Sequence, residues 1–276
     1  MIVDIHAHVA PKEVAQRTIA LFEERTGTKL IYDFSPEKLI EIMTAVVDKA
    51  LMFNVVLKPD IVPKSSDWVA QKVKENPGRL VGMLAPHPDF QGLDKELERC
   101  VKELGFVGVK MNGSLHRFFP NDARMRPLYR KAEELGVPVL VHTGRNVENF
   151  KVKEFDRSEQ QYSEPASWRP VLEAFPKMTV VLAHMAGAID FWDDALRLMD
   201  DFPGAYADLS MCLEALPDEK IVRFIRTVGA ERVMYGSDYP GFNSVSEIER
   251  IRKLDISEED KKQILGENAA RVFRLS

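Results

Sequence analysis

Three histidines and one aspartate carry the chemistry that this sequence most clearly suggests. His6 and His8 are two residues apart, so both imidazoles face the same side if this part of the chain is a β-strand. His142 ends the apolar run 137–141, and Asp238 follows a later apolar segment. Imidazole nitrogens and carboxylate oxygens are common ligands of divalent metals, and a catalytic metal site keeps one position free for water. The sequence therefore predicts one metal ion on His6, His8, His142 and Asp238, with zinc as the default and manganese, iron or cobalt also suited.

Short β-rich runs recur along the chain and alternate with amphipathic helical stretches. Eight runs have the length and composition of strands: 2–6, 49–53, 80–84, 107–111, 137–141, 180–183, 205–209 and 232–235. Eight βα units are the number that closes a parallel (β/α)8 TIM barrel, and a doubly wound open sheet is the rival fold. The absence of the motifs G-x-G-x-x-G and G-x-x-x-x-G-K weakens that rival. In a barrel, the strand ends that carry the histidines would meet at one rim.

Composition and charge restrict the class of protein further. The 276 residues are 45% hydrophobic and 29% charged, without a linker-like tract, so we expect a single barrel domain over residues 1–276. The net charge of −5 gives no reason to expect a nucleic-acid partner, and no apolar stretch long enough to cross a membrane interrupts the sequence. Cys100 and Cys212 show no disulfide or metal spacing, which suits the reducing cytoplasm. The expected partner is a small-molecule substrate, and a homo-oligomer stays open.

A series of motifs that spans the chain contains these histidines and the aspartate. In chain order the motifs are DIHAH (4–8), VDKAL (47–51), GFVGVK (105–110), PVLVHTG (138–144), LAHMAG (182–187), YGSDYP (235–240) and ILGENAAR (264–271). Together they resemble the amidohydrolase superfamily, specifically its branch similar to aminocarboxymuconate-semialdehyde decarboxylase and related metal-dependent hydrolases. The resemblance implies a (β/α)8 barrel with metal ligands at His6, His8, His142 and Asp238. It also implies that His184 lies beside the metal as an acid or base.

Each of these residues also has a role that can be argued from its chemistry. Asp238 is a candidate catalytic residue, because an ionised carboxylate next to the metal can accept a proton as well as ligate. His184 could protonate a leaving group or polarise a carbonyl, or it could be a hydrogen-bonded histidine of the core. Asp4 could orient an imidazole on the metal from below, or make a hydrogen bond at the barrel floor.

Two cations are tentative substrate-binding residues. In relatives with two metals, a carboxylated lysine at the position of Lys110 bridges them, but we favour a single metal with Lys110 as a cation near the substrate. A structural pairing of Lys110 with Asp208 is the other possibility. Arg145 follows the fifth predicted strand and could bind a substrate carboxylate with both of its amino groups, or be a solvated surface residue. The irregular segment 144–166 around it is long enough to be an active-site loop.

These residues favour a metal-dependent hydrolase, in which metal-activated water attacks the carbonyl of an ester, lactone or amide of a small carboxylate-bearing substrate. The first alternative is a non-oxidative decarboxylase of an aromatic or enoic acid, which would use the same ligands. The second alternative, from a different class, is a catalytically silent metal-binding scaffold. The substrate itself cannot be predicted, because rim loops determine specificity in a barrel.

Overall fold

Short parallel β-strands form the framework of the molecule. The computed structural model describes residues 1–26, 30–145 and 161–276. Within these ranges the strands are β1 (Val3–Val9), β2 (Lys49–Asn54), β3 (Leu80–Gly82), β4 (Val109–Met111), β5 (Val139–Val141), β6 (Val180–Leu182), β7 (Tyr206–Asp208) and β8 (Val233–Met234). Each of them overlaps one of the runs expected to be a strand.

The strands close into a barrel. Hydrogen bonds join them in the orders β1-β2-β3 and β4-β5-β6-β7-β8, all parallel. The segment after β3 meets β4 where the N–H of Leu84 donates to the carbonyl of Gly108 at 2.9 Å. The segment after β8 meets β1 where the N–H of His8 donates to the carbonyl of Tyr239, also at 2.9 Å. The predicted (β/α)8 barrel is confirmed, and the open sheet is excluded.

Helices follow the strands and cover the outside of the barrel. In the described residues the α-helices are α1 (Lys12–Thr26), α2 (Pro36–Val46), α3 (Val62–Glu75), α4 (Leu93–Lys102), α5 (Gly113–His116), α6 (Arg126–Leu135), α7 (Arg169–Ala174), α8 (Trp192–Asp201), α9 (Cys212–Ala215), α10 (Asp218–Val228), α11 (Ser244–Lys253), α12 (Glu258–Lys262) and α13 (Asn268–Val272). Helix α6 is amphipathic and is followed by Gly136 in the left-handed conformation that favours glycine. None of the described helices is long and apolar enough to cross a membrane.

Strands β3 to β8 are apolar because both of their faces are covered, one by helices and the other by the barrel interior. All three residues of β5 and of β6 are buried. Two charged residues interrupt this pattern, Lys110 in β4 and Asp208 in β7, and both are buried. A buried charge is costly unless it is paired, so Lys110 and Asp208 must have polar partners near the carboxyl ends of these strands.

The segment after β5, which we expected to be an active-site loop, is described only at its two ends. Residues 146–160 lie outside the described residues. At the returning end, the carbonyl of Ser163 accepts the N–H of Gly144 at 2.8 Å, and the Ser163 hydroxyl donates to the carbonyl of Gly144 at 2.9 Å. Both ends of the segment are thus held together directly above β5.

Candidate metal centre

The end of β1 and the segment after β8 bring two histidines and one carboxylate together. Oδ1 of Asp238 lies 3.2 Å from Nε2 of His6 and 3.2 Å from Nε2 of His8. One possible ligand atom from each of these residues lies within 4.8 Å of the others. The side chain of His6 is fully buried, whereas that of His8 is 21% exposed. Three of the four predicted ligands therefore meet at one point that is open on the His8 side.

Asp208 at the end of β7 determines which nitrogen of His6 faces this point. Its Oδ2 lies 2.8 Å from Nδ1 of His6. A carboxylate only accepts, so Nδ1 carries the ring proton and Nε2 of a neutral His6 is a bare lone pair. Burial alone would raise the pKa of Asp208, but the His6 and His184 rings and the Ser210 hydroxyl outweigh it and lower the pKa to about 2.

Asp4 holds the backbone below the cluster rather than a metal-binding ring. Its carboxylate accepts the backbone N–H of His6 at 3.0 Å, the N–H of Ser237 at 2.9 Å and the Ser237 hydroxyl at 2.6 Å. Burial raises the pKa of Asp4 to about 6, although these donors oppose the rise. Of the two roles considered for Asp4, the structure has the hydrogen bonds at the barrel floor, and it is Asp208 that contacts the His6 ring.

His142, the fourth predicted ligand, lies beside the cluster but not within it. It is not part of the group whose ligand atoms all lie within 4.8 Å of one another. Its Nδ1 is 3.0 Å from Nε2 of His184. Its Nε2 is buried and has no hydrogen-bond partner among the described residues. A buried nitrogen without a partner is costly, and a metal ligand is one reason to keep such an atom.

His184 follows β6 in a single turn of left-handed backbone. The φ angles of His184, Met185 and Ala186 are 58°, 53° and 56°, a conformation that costs residues with a side chain on the order of 1–3 kcal/mol each. The turn directs the N–H of His184 at Oδ1 of Asp208, 2.8 Å away. Both ring nitrogens of His184 are engaged, Nε2 with His142 and Nδ1 with Ser210. His184 is thus beside the cluster as expected, but its contacts are those of a residue that positions His142.

Lys110 points into the cluster from the end of β4. Its Nζ lies 2.8 Å from Nε2 of His6 and 5.6 Å from the centre of the Phe53 ring. Burial lowers the pKa of Lys110 to about 8, although the carboxylates of Asp238 and Asp208 oppose the drop. The pairing with Asp208 considered from sequence is not the direct contact that the structure has, because Asp208 bonds to His6 and Ser210 instead.

Arg145 is turned toward another loop. Its Nε lies 3.0 Å from each carboxylate oxygen of Asp190, and its Nη2 also contacts that carboxylate. The side chain of Asp190 is only 10% exposed, so this ion pair is largely shielded from water. The guanidinium of Arg145 therefore binds a carboxylate of this chain, which argues against the tentative substrate-binding role.

A small cavity adjoins the cluster on the side of β2 and β4. His8, Lys110 and His116 contribute polar groups to its wall, and Phe53, Val56 and Leu115 contribute apolar ones. Nε2 of His116 lies 2.7 Å from the carbonyl of Val56 and is thereby fixed at the wall. The wall therefore combines the buried amino group of Lys110 with apolar side chains, and its free volume of about 30 Å³ is that of about one water molecule.

The donor set fits a divalent cation. Burial lowers the pKa of His6 to about 4 and also lowers the pKa values of His8 and His142, so the rings are neutral near pH 7, the form that binds metals. Burial would raise the pKa of Asp238, but His6, His8 and His184 outweigh it and hold that pKa well below its usual value, so the carboxylate is ionised. Together with the unpartnered Nε2 of His142, these groups supply the nitrogen and oxygen ligands that Zn²⁺, Mn²⁺, Fe²⁺ or Co²⁺ accepts.

Two residues of the site were missed in these roles by the sequence analysis. Asp208 was considered only as a partner of Lys110, and Ser210 was not considered. The signal in the sequence was an acidic residue, Asp208, near the end of the predicted strand 205–209, and a hydroxyl residue, Ser210, directly after it. Charged residues at that end of a barrel strand indicate function more often than packing.

A closed (β/α)8 barrel with imidazoles and a carboxylate at the carboxyl ends of its strands is the architecture of a barrel enzyme. The amidohydrolase family model matches residues 3–275. This chain therefore belongs to the amidohydrolase family, as the motifs indicated.

Proteins similar to this chain are enzymes. Gamma-resorcylate decarboxylase of Rhodococcus jostii (strain RHA1) is 26% identical over 254 residues, 78% of this chain and 77% of that protein. The 2-amino-3-carboxymuconate-6-semialdehyde decarboxylase of Dictyostelium discoideum is 25% identical over 265 residues, 82% of this chain and 70% of that protein. A crystal structure of dihydroxybenzoic acid decarboxylase from Polaromonas sp. JS666, with bound manganese and 2-nitroresorcinol, has a TM-score of 0.76 at 18% identity and covers 99% of this chain and 97% of that one. This chain is accordingly an enzyme with the same fold.

Proposed function

We propose that this enzyme is a metal-dependent decarboxylase that removes CO2 from a small aromatic or enoic acid. The observation that carries the proposal is the buried ammonium of Lys110 beside the His6, His8 and Asp238 cluster, at the wall of a largely apolar cavity. Both relatives described above are decarboxylases, which supports this alternative over the hydrolysis that the sequence analysis favoured. A silent scaffold has no support, because the relatives are enzymes.

We propose one metal ion, held by His6, His8, His142 and Asp238, and manganese as its identity. Zinc, the default from the sequence, is not supported, whereas the Polaromonas decarboxylase binds manganese and nitrogen and carboxylate ligands suit that ion. A second metal has little support, because both ring nitrogens of His184 already have partners in this chain. An ion held by these four residues would supply Lewis acidity at the cluster.

The side chains of the chain itself then bind the substrate and move a proton. Lys110 uses the Nε2 lone pair of His6 as its partner. If His6 Nε2 serves as a metal ligand, Lys110 would lose this partner, and its ammonium would be available to the anionic group of the substrate. The apolar side chains of Phe53, Val56 and Leu115 line the same cavity and would exclude water from the bound substrate.

The carbon that loses CO2 keeps the electron pair of the broken bond and needs one proton. We assign the delivery of this proton to Asp238, which lies at the cluster and is 7% exposed. Because Asp238 is ionised in the free enzyme, it must first take up a proton, either from an acidic hydroxyl of the substrate or from water. His184, the other candidate acid, has no free ring nitrogen in this arrangement and positions His142 instead.

Turnover of a substrate panel tests the proposed reaction. Protein loaded with Mn²⁺ is incubated in D2O with gamma-resorcylate, other ortho-hydroxylated benzoic acids and enoic acids, and separately with esters and lactones. We expect CO2 release from at least one acid, with one deuterium on the carbon that lost it, and no release of acid from the esters. Chelation of the metal should abolish CO2 release. Hydrolysis of esters or lactones without CO2 release would contradict the proposal and support the hydrolase hypothesis instead.

Replacement of Lys110 by methionine, of similar length but uncharged, tests the substrate-binding role. We expect KM for the acid to rise at least roughly 30-fold, because truncating one partner of a buried ion pair costs on the order of 2–5 kcal/mol and each 1.4 kcal/mol is about tenfold. Manganese content should stay at one per chain. Lys74→Met, at an exposed lysine of α3, is the matched control and should change neither quantity.

Loss of metal in the Lys110→Met variant would contradict this role, because it would mean that Lys110 takes part in holding a metal, as a carboxylated lysine does in a two-metal site.

The small-molecule partner is part of the proposed function. Cytoplasmic location and a single domain over 1–276 remain predictions from the sequence, and the oligomeric state stays open.

A further inference from the structure

Asp208 and Ser210 form a buried pair directly behind the metal-binding residues. Both are fully buried. Oδ1 of Asp208 accepts the N–H of Ser210 at 3.1 Å and also the Ser210 hydroxyl. The same pair reaches two histidines, because Asp208 contacts His6 and Ser210 contacts His184. The side-chain oxygens of this pair thus contact each other, the ring nitrogens of His6 and His184, and the backbone N–H of His184.

The Ser210 hydroxyl controls the proton of His184. Because the hydroxyl donates its hydrogen to Asp208, its oxygen is left to accept. Nδ1 of His184 lies 2.9 Å from that oxygen and 3.1 Å from the carbonyl of Ser210. Both neighbours of Nδ1 are acceptors, so Nδ1 carries the ring proton and Nε2 of His184 is bare.

The same reasoning extends to His142. The bare Nε2 of His184 lies 3.0 Å from Nδ1 of His142 and can only accept. Nδ1 of His142 must therefore carry its ring proton, which leaves Nε2 as a lone pair. That atom is the buried nitrogen with no hydrogen-bond partner in the described part of the chain.

We propose that Asp208 and Ser210 are positioning residues that fix the ring protons of His6, His184 and His142, so that two metal ligands on different strands each present a bare Nε2. Asp208 fixes His6 directly. Ser210 fixes His142 through His184. The inference rests on the metal centre in the proposed function but not on the reaction, and it gives Asp208 and Ser210 a role in orienting the ligand rings.

Manganese affinity is the first test. Free Mn²⁺ is followed by its paramagnetic resonance signal during titration of the full-length protein, its Asp208→Asn variant and its Ser210→Ala variant. Loss of a group that orients a metal-binding histidine typically weakens metal affinity about 10- to 100-fold. We expect a loss of that size for Asp208→Asn and a smaller one for Ser210→Ala, because the Ser210 carbonyl still accepts from His184. Ser114→Ala, which removes a buried hydroxyl paired with Ser163 instead, is the control and should bind as the wild type does.

The ring protons themselves are the second test, which a merely structural role would not move. In zinc-loaded protein labelled with ¹⁵N-histidine, the His184 signals should show a protonated Nδ1 and a bare Nε2, and the Ser210→Ala variant should weaken that preference. A protonated Nε2 on His184, or an Asp208→Asn variant that folds and binds Mn²⁺ as tightly as the wild type, would overturn the proposal. Wild-type protein that binds no Mn²⁺ would overturn the metal centre as well, so the two failures are distinguishable.

Discussion

Replacement of Asp238 by asparagine should lower kcat/KM for decarboxylation by roughly 10²- to 10⁴-fold, the range that a proton-transferring group contributes. Oδ1 of Asp238 lies 3.2 Å from each of the two Nε2 atoms that we assign to the metal. Asparagine keeps the shape and one carbonyl oxygen but cannot take up and deliver a proton. The loss should therefore appear mainly in kcat, measured by CO2 release under saturating substrate.

The matched control for this prediction is Asp255→Asn, which removes a surface carboxylate paired with Arg226. It should leave kcat/KM unchanged. Manganese content of the Asp238→Asn variant separates its two roles. If metal is retained while kcat falls, proton transfer carries the effect; a variant with full metal and full activity would rule out the proton-transfer role of Asp238.

Replacement of His142 by alanine should remove the metal and the activity together. The ring supplies a buried Nε2 without a partner in the described residues, held in place by His184. Without this ring, the ion would keep only His6, His8 and Asp238 as protein ligands. We expect less than about a tenth of the wild-type manganese after dialysis, with turnover reduced in proportion. Replacing a residue that only supports a ligand already weakens metal affinity about 10- to 100-fold, and loss of the ligand itself should weaken it more.

His87→Ala is the control for metal content. His87 is also a histidine at the rim, but its Nδ1 accepts the N–H of Asp89 at 3.2 Å and its ring packs against His116. Metal content by elemental analysis should be unchanged in this variant. If His142→Ala retained both metal and turnover, the assignment of His142 as a ligand would be wrong.

The barrel could be predicted from sequence because its strands are buried on both faces. Runs such as Val139–Val141 and Val180–Leu182 are apolar without interruption, and no alternating pattern has to be interpreted. The strand count then determines closure. The positions of His6, His8 and Asp238 follow from the same rule, since strand ends converge on one rim wherever the chain between them goes.

Contacts between loop side chains could not be predicted in this way. Arg145 is adjacent in sequence to the site, yet it pairs with Asp190, 45 residues away. The left-handed turn at His184 carries no glycine until Gly187, so nothing in its sequence indicates how the ring is directed. The role of Asp208 likewise depends on its distance to His6, 202 residues earlier in the chain.

The type of reaction could not be predicted from the sequence, for a chemical reason. The same nitrogen and carboxylate ligands serve hydrolysis and decarboxylation, and the two differ in what the cavity does to the substrate carboxylate. A buried Lys110 against Phe53 is visible only once the strands are assembled. Family membership followed from the motifs, whereas the preference for hydrolysis did not have comparable support.

Anomalous X-ray scattering from crystals grown with Mn²⁺ locates the metal. We expect one strong manganese peak per chain, within about 2.0–2.3 Å of nitrogen or oxygen atoms of His6, His8, His142 and Asp238, as metal–ligand distances require. A peak elsewhere in the molecule, or one from which Asp238 or the two histidines of β1 are too distant to be ligands, would contradict it.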